Sequence, residues 1–231
     1  MAMMGSSRVS IGRSIGDYLT RYILFDFETT GLQAWIDNVL SVSYYDSEMV
    51  GVVNIVRGEE GHIFNYLFKG PFASMVDPNW KDVELVSFNG LKFDSPFMVF
   101  RCLFPNPDTK KIGDVWDLIH RRLSRSHIDM KQFGKLESGR WGNCALEDLV
   151  PDYERPSWSG PSPPWVGKYW TEIKPELWEE MADYQFEEMR ALIKYIRSAQ
   201  LRYPDLKFPF LVVDPDNLTR RVVDLFEESK D

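Results

Sequence analysis

Cysteine is scarce in this 231-residue chain, which holds only Cys102 and Cys144. Two cysteines so far apart supply neither a zinc knuckle nor a disulfide framework, so a reducing compartment fits and both are expected to be core thiols. Long apolar runs are missing as well. No stretch of 18 apolar residues occurs, and residues 1–17 lack the apolar core of a signal peptide. The expectation is a soluble protein, cytoplasmic or otherwise intracellular, with nucleus and organelle both open. Net positive charge is absent too: 27 Lys and Arg against 35 Asp and Glu give −8, which argues against a broad cationic surface of the kind that coats duplex DNA. The charge is uneven, however. Residues 101–140 carry nine basic side chains (101, 110, 111, 121, 122, 125, 131, 135, 140) against five acids, so a local strand-binding face remains open. No internal repeat is visible.

With 44% apolar residues, the chain can bury one substantial core. It reads as an N-terminal extension (1–20) followed by a single domain (21–231). Arg21 to Phe27 is a short apolar run ending in acids and predicts a buried strand. Two β-branched runs follow, Val39 to Tyr45 and Val50 to Val56, joined by the polar turn Asp46-Ser47-Glu48; the three predict an antiparallel meander. His62 to Phe68 predicts a short helix and Val83 to Phe88 a fourth strand. Ser95 to Phe104 predicts a helix with Pro96 at an early position where no amide donor is needed. Val115 to Leu123 is amphipathic, with Trp116, Ile119 and Leu123 at helical spacing.

Pro151 to Trp170 differs in kind: five prolines, Trp158, Trp165, Tyr169 and Trp170 stand among Ser and Gly. That density predicts a long irregular loop. Its tryptophans either stack unpaired bases or pin the loop to the core. Lys174 to Ala199 predicts one long helix beginning near Pro175. Phe208 to Glu228 predicts a short strand, a turn at Asp214-Pro215-Asp216-Asn217 and a terminal helix.

The acids carry the chemistry. Asp26 and Glu28 are two apart at a strand end, so both side chains point to one face. Their mutual repulsion calls for a proton or, better, a hard divalent cation; a solvated strand end is the competing reading. Asp94 ends Ser87-Phe88-Asn89-Gly90-Leu91-Lys92-Phe93-Asp94, where a strand gives way to a helix, and reads either as a site acid or as the helix N-cap. Tyr184 and Glu188 are four apart in the long helix and share a face, as they would on any half-exposed helix.

Taken in order, these segments resemble the DEDD exonuclease superfamily, the RNase H-like 3′→5′ exonucleases. Phe25-Asp26-Phe27-Glu28-Thr29-Thr30-Gly31-Leu32 is similar to the first motif, Asn89-Gly90-Leu91-Lys92-Phe93-Asp94 to the second, and Tyr184 with an acid four residues on to the third in its tyrosine branch. The resemblance covers about Tyr22 to Ile196. One position departs: the family's last ligand is Asp, and here it is Glu188, one methylene longer, with Glu187 as its neighbour. Asp183, just before the tyrosine, points the wrong way to substitute.

The resemblance implies an α/β fold with an RNase H-like mixed five-stranded sheet, a three-stranded antiparallel meander plus parallel strands, flanked by helices. It further implies two Mg²⁺ or Mn²⁺ ions about 4 Å apart held by Asp26, Glu28, Asp94 and Glu188. Four carboxylates and one phosphate sum to −5, which two divalent ions bring to −1. Tyr184 would orient the attacking water, since a phenol is a poor base at pH 7. Thr29 and Leu32 would meet the terminal nucleotide, with Asn89 hydrogen-bonding the strand. The implied partner is the 3′ end of single-stranded DNA or RNA, DNA preferred, with a polymerase or replication protein as a further partner. RNA trimming is one alternative. A lapsed site that only binds nucleic acid or a polymerase is the other, and Glu188 is the feature that favours it. Asp129 either supports the site or caps a helix. His120 and His127 read as surface or capping residues, and Arg121, Arg122 and Arg125 as phosphate contacts or a solvated face.

Overall fold

The computed structural model describes residues 20–30, 33–34, 37–73, 83–103, 127–139, 144–154, 175–205, 209 and 211–226. The elements are β1 (Arg21–Thr29), β2 (Val39–Asp46), β3 (Val52–Arg57), α1 (Glu60–Lys69), β4 (Val83–Ser87), α2 (Asp94–Leu103), β5 (His127–Asp129), α3 (Met130–Ser138), α4 (Pro175–Arg202) and β6 (Thr219–Asp224). They build one six-stranded sheet in the order β5-β4-β1-β2-β3-β6. β1, β2 and β3 form the antiparallel meander, while β4, β5 and β6 join in parallel.

The alternation of side chains across β1 divides the molecule. Ile23, Phe25 and Phe27 face one core with Val42, Tyr44, Val56, Ile63, Phe64, Leu67 and Phe97. Tyr22 and Leu24 face a second core with Tyr45, Val53, Val86, Met189, Leu192 and Ile196. Each fully buried side chain of this size contributes about 1.5–3 kcal/mol, and a one-residue slip of β1 would exchange the two sets between the cores and drive Asp26 and Glu28 into the first. Asp26 and Glu28 continue the second face past Leu24, opposite Ser43 and Ser41 of β2. Both serines are buried, so small polar neighbours replace the bulky apolar ones where the carboxylates begin.

The fold class is the expected one, with six strands in place of five. The strand at the far edge was expected to be a terminal helix. Asp214 caps the predicted turn by accepting from the amide of Asp216 at 3.2 Å and the side-chain amide of Asn217 at 2.8 Å. Thr219 to Asp224 then pairs along β3 from Val52↔Thr219 to Arg57↔Asp224. The β-branched Thr219, Val222 and Val223 suit that edge, and Arg57 pairs with Asp224 at 3.0 Å. Residues 211–214, where a short strand was expected, have no regular structure.

The amphipathic segment Val115–Leu123, His120, Arg121, Arg122, Arg125 and all but residues 151–154 of the Pro/Trp-rich loop lie outside the described residues. Cys144 is buried as expected. No helix among the described residues is long and apolar enough to cross a membrane.

Candidate active site

Three elements converge at one end of the sheet. Asp26 and Glu28 leave β1 side by side, and α4 crosses that face of the sheet. This 28-residue helix, about 42 Å long, presents Tyr184 and Glu188 one turn apart. Carboxylate oxygens of Asp26, Glu28 and Glu188 all lie within 4.8 Å of one another. The Tyr184 hydroxyl donates to Glu188 Oε1 at 2.7 Å. The neighbouring acids of the helix point elsewhere: Asp183 pairs with Arg220, and Glu187 pairs with Arg190 at 3.3 Å. Helical phase thus selects Glu188.

The phase of α4 is locked by the residue after the tyrosine. Gln185 is fully buried, and its Oε1 accepts from Ser41 Oγ at 2.9 Å, directly behind Glu28. That bond ties the helix to β2 in the register that carries Tyr184 and Glu188 over the acids of β1.

Asp94 arrives from α2. Parallel pairing of β1 with β4 ends at Leu24↔Val86, and beyond it the amide of Phe27 donates to Asp94 Oδ1 at 3.2 Å. Asp94 is already the first residue of the helix and not a cap preceding it. Burial pushes its carboxyl up to about 7, the Asp129 and Glu188 charges push the same way, and the Phe27 amide opposes them. Gly90 is what allows the approach, since a Cβ there would lie 2.2 Å from Ser87 Oγ and 2.8 Å from Asp94 Oδ2.

Asp129 does both things its sequence context suggests. It caps α3 by accepting from the Lys131 amide at 3.0 Å, and it holds the Asn89–Leu91 turn through the amides of Asn89 at 2.8 Å and Leu91 at 3.3 Å. Asn89 sits there at φ 74°, a left-handed conformation that asparagine tolerates. His127 is no surface residue. Its ring is half-buried against Phe25 with centroids 5.5 Å apart, and it bridges Ser87 Oγ at 2.7 Å and Ser95 Oγ at 3.1 Å. Burial lowers its pKa to about 4 against the opposing pull of Asp129.

Asp26, Glu28, Thr29, Asn89, Asp94, Tyr184 and Glu188 all line one cleft of about 540 Å³. Leu32 lies outside the described residues. The cleft also takes Phe88 of the second acidic segment, Lys131 of the basic stretch, and Leu146 and Glu147, the last two of which no sequence spacing had singled out. Their signal is tertiary, because the short turn Leu146–Asp148 and the start of α3 reach the cleft only when β5 docks beside β4. The donor chemistry suits a hard divalent cation: the carboxylate oxygens of Asp26, Glu28 and Glu188 are clustered, and Asp94 lines the same cleft.

A family model described as RNase H superfamily matches residues 23–199, most of the chain and every element from β1 through most of α4. The chain belongs to the RNase H superfamily. Among solved structures, the family B DNA polymerase of the hyperthermophilic archaeon Pyrobaculum calidifontis matches at TM-score 0.52 and 15% identity, over 78% of this chain and 24% of that one. Exonuclease I of Methylocaldum szegediense matches at TM-score 0.44 and 13% identity, over 81% and 42%. The zinc-bound E. coli ExoI–ssDNA complex matches at 0.41 and 14%, over 80% and 42%. The polymerase match shows the fold, and this RNase H superfamily chain spans less than half the length of each of the three. No curated protein matches it by sequence.

Proposed function

We propose that this chain is a metal-dependent 3′→5′ exonuclease of the DEDD type, tyrosine branch, that removes nucleotides from the 3′ end of nucleic acid, single-stranded DNA preferred. The observation that carries this reading is the meeting of Asp26, Glu28 and Glu188 within 4.8 Å, with the Tyr184 hydroxyl on Glu188. Residues far apart in sequence have been brought into one acidic cluster in the wall of a cleft of about 540 Å³.

Asp26, Glu28, Asp94 and Glu188 would hold two Mg²⁺ or Mn²⁺ ions. When bound, the ions supply an acidified water and offset the charge that builds on the phosphoryl oxygens. The chain's own residues set the geometry. Tyr184 fixes the Glu188 carboxylate and stands where it can orient the attacking water. The Phe27 amide fixes Asp94. Thr29 and Asn89 on the cleft walls meet the terminal nucleotide and the strand, while Leu40, Phe93 and Leu192 supply apolar wall that excludes bulk water. The added methylene of Glu188 does not take it out of the cluster, which supports a working site over a lapsed one.

The test is incubation of the purified chain with 5′-labelled single-stranded DNA and RNA in EDTA, Mg²⁺ or Mn²⁺, beside Asp26→Ala. The expected result is a metal-dependent ladder shortening from the 3′ end that Asp26→Ala abolishes while keeping its thermal transition. Strand binding without cleavage in any metal would move the reading to a lapsed-site binding module.

A further inference from the structure

The basic stretch of residues 101–140 finds its described link to the cleft in Lys131. Among the described residues that line the cleft, Lys131 is the one cation, against five carboxylates: Asp26, Glu28, Asp94, Glu147 and Glu188. An ammonium group in such company would be expected to pair with one of them. Among the described residues no such pair forms, and Nζ lies 5.9 Å from the Phe88 ring centroid, the range of a cation–π contact. The positive charge thus lies over an aromatic ring of the same cleft wall.

Its backbone is equally fixed. The Lys131 amide donates to Asp129 Oδ1 at 3.0 Å, the oxygen that also accepts from the Asn89 amide at 2.8 Å. Asp129 is buried, so one desolvated carboxylate sets Lys131 and Asn89 relative to each other and to Asp94 five residues further on.

We propose that Lys131 grips a backbone phosphate of the single strand, on the 5′ side of the linkage to be cut. The inference rests on the nucleic-acid reading of this cleft. The scissile phosphate belongs with the acidic cluster, whereas Lys131 lies over Phe88. A neighbouring phosphodiester, with one full negative charge and no metal-holding carboxylates beside it, is the ligand that suits an ammonium on the cleft wall.

The experiment compares wild type, Lys131→Ala, Lys131→Met and Lys131→Arg on a short single-stranded DNA across a series of KCl concentrations. Each single-strand phosphate contact adds about −0.7 to the slope of log affinity against log salt. Lys131→Ala and Lys131→Met are expected to flatten the slope by about that amount and raise KM about tenfold with a smaller change in kcat, and Lys131→Arg to restore the slope. Met keeps the apolar stem, so it separates loss of charge from loss of packing if Ala unfolds. An unchanged slope and KM in a folded Lys131→Met would overturn the proposal. If wild type cuts nothing, equilibrium binding of the same oligonucleotide reads the same slope, so the nuclease reading can fail while this one stands. A wild-type chain that neither cuts nor binds overturns both.

Discussion

Tyr184 holds Glu188: its hydroxyl donates at 2.7 Å to Oε1 across one turn of α4, and that carboxylate shares the cluster of Asp26 and Glu28. Tyr184→Phe removes the donor and keeps the ring. Groups that orient metal-binding side chains are typically worth 10- to 100-fold in activity or metal affinity. The expected outcome is a fall in kcat of about that size with an unchanged thermal midpoint, read by single-turnover cleavage and by calorimetry. A variant as fast as wild type would remove Tyr184 from the site.

Gly90 lets Asp94 approach β1. Gly90→Ala drives a methyl group into Ser87 and the Asp94 carboxylate, and overpacking of this kind costs about 1–3 kcal/mol. Gly139 is the control, since it has φ +67° but nothing within 4 Å of an added Cβ. Gly139→Ala is expected to cost stability alone, about 1 kcal/mol, while Gly90→Ala also weakens divalent-metal binding. Denaturant titration and metal titration of the two variants distinguish these effects.

Asp129 satisfies three amides from two segments. Asp129→Ala takes the acceptor from three partly buried amides that water can reach, at a net cost of about 0.5–1.5 kcal/mol each. Because the amides of Asn89 and Leu91 lose their tie first, native-state hydrogen exchange at these two positions is expected to accelerate well beyond that of the β1–β2 ladder. Uniform acceleration would mean that Asp129 acts only on global stability.

His127 makes the fold sensitive to acid. Its folded-state pKa is depressed from 6.5 to about 4, so below pH 6.5 the unfolded chain takes up a proton that the folded chain refuses. Stability is then lost as pH falls from about 6.5 to about 4 and changes no further on this account below that, a total on the order of 3 kcal/mol. His127→Asn is expected to lower stability at pH 7 and to flatten this part of the pH profile. Urea midpoints measured at several pH values check both.

Much of the fold was legible because it is written locally. The apolar runs of β1, β2 and β3, the turn at Asp46–Glu48 and the period of the 28-residue α4 are each set by near neighbours in sequence, and their predicted bounds fall close to the observed ones. β5 has three residues, too few for any period to register. β6 was misread because Leu218 to Glu228 mixes apolar and charged residues in a way that suits a helix as well as an edge strand; the parallel partner β3 decided between them. In the site, Asp26, Glu28, Asp94, Tyr184 and Glu188 were legible as motif positions, and the cleft contains all five. Lys131 and Glu147 carry no motif, and they come to the cleft from α3 and the turn after it.

The sequence by itself determined which side chains share a face, since a period of two on β1 puts Asp26 beside Glu28 and a period of 3.6 on α4 puts Tyr184 over Glu188. Only the tertiary structure decided that these two pairs meet. It does so through the bond between Ser41 and Gln185 and through the second core, which seats Met189, Leu192 and Ile196 against Leu24 and Val53. Local periodicity fixes directions within an element; distance between elements is fixed by burial, which no single segment contains.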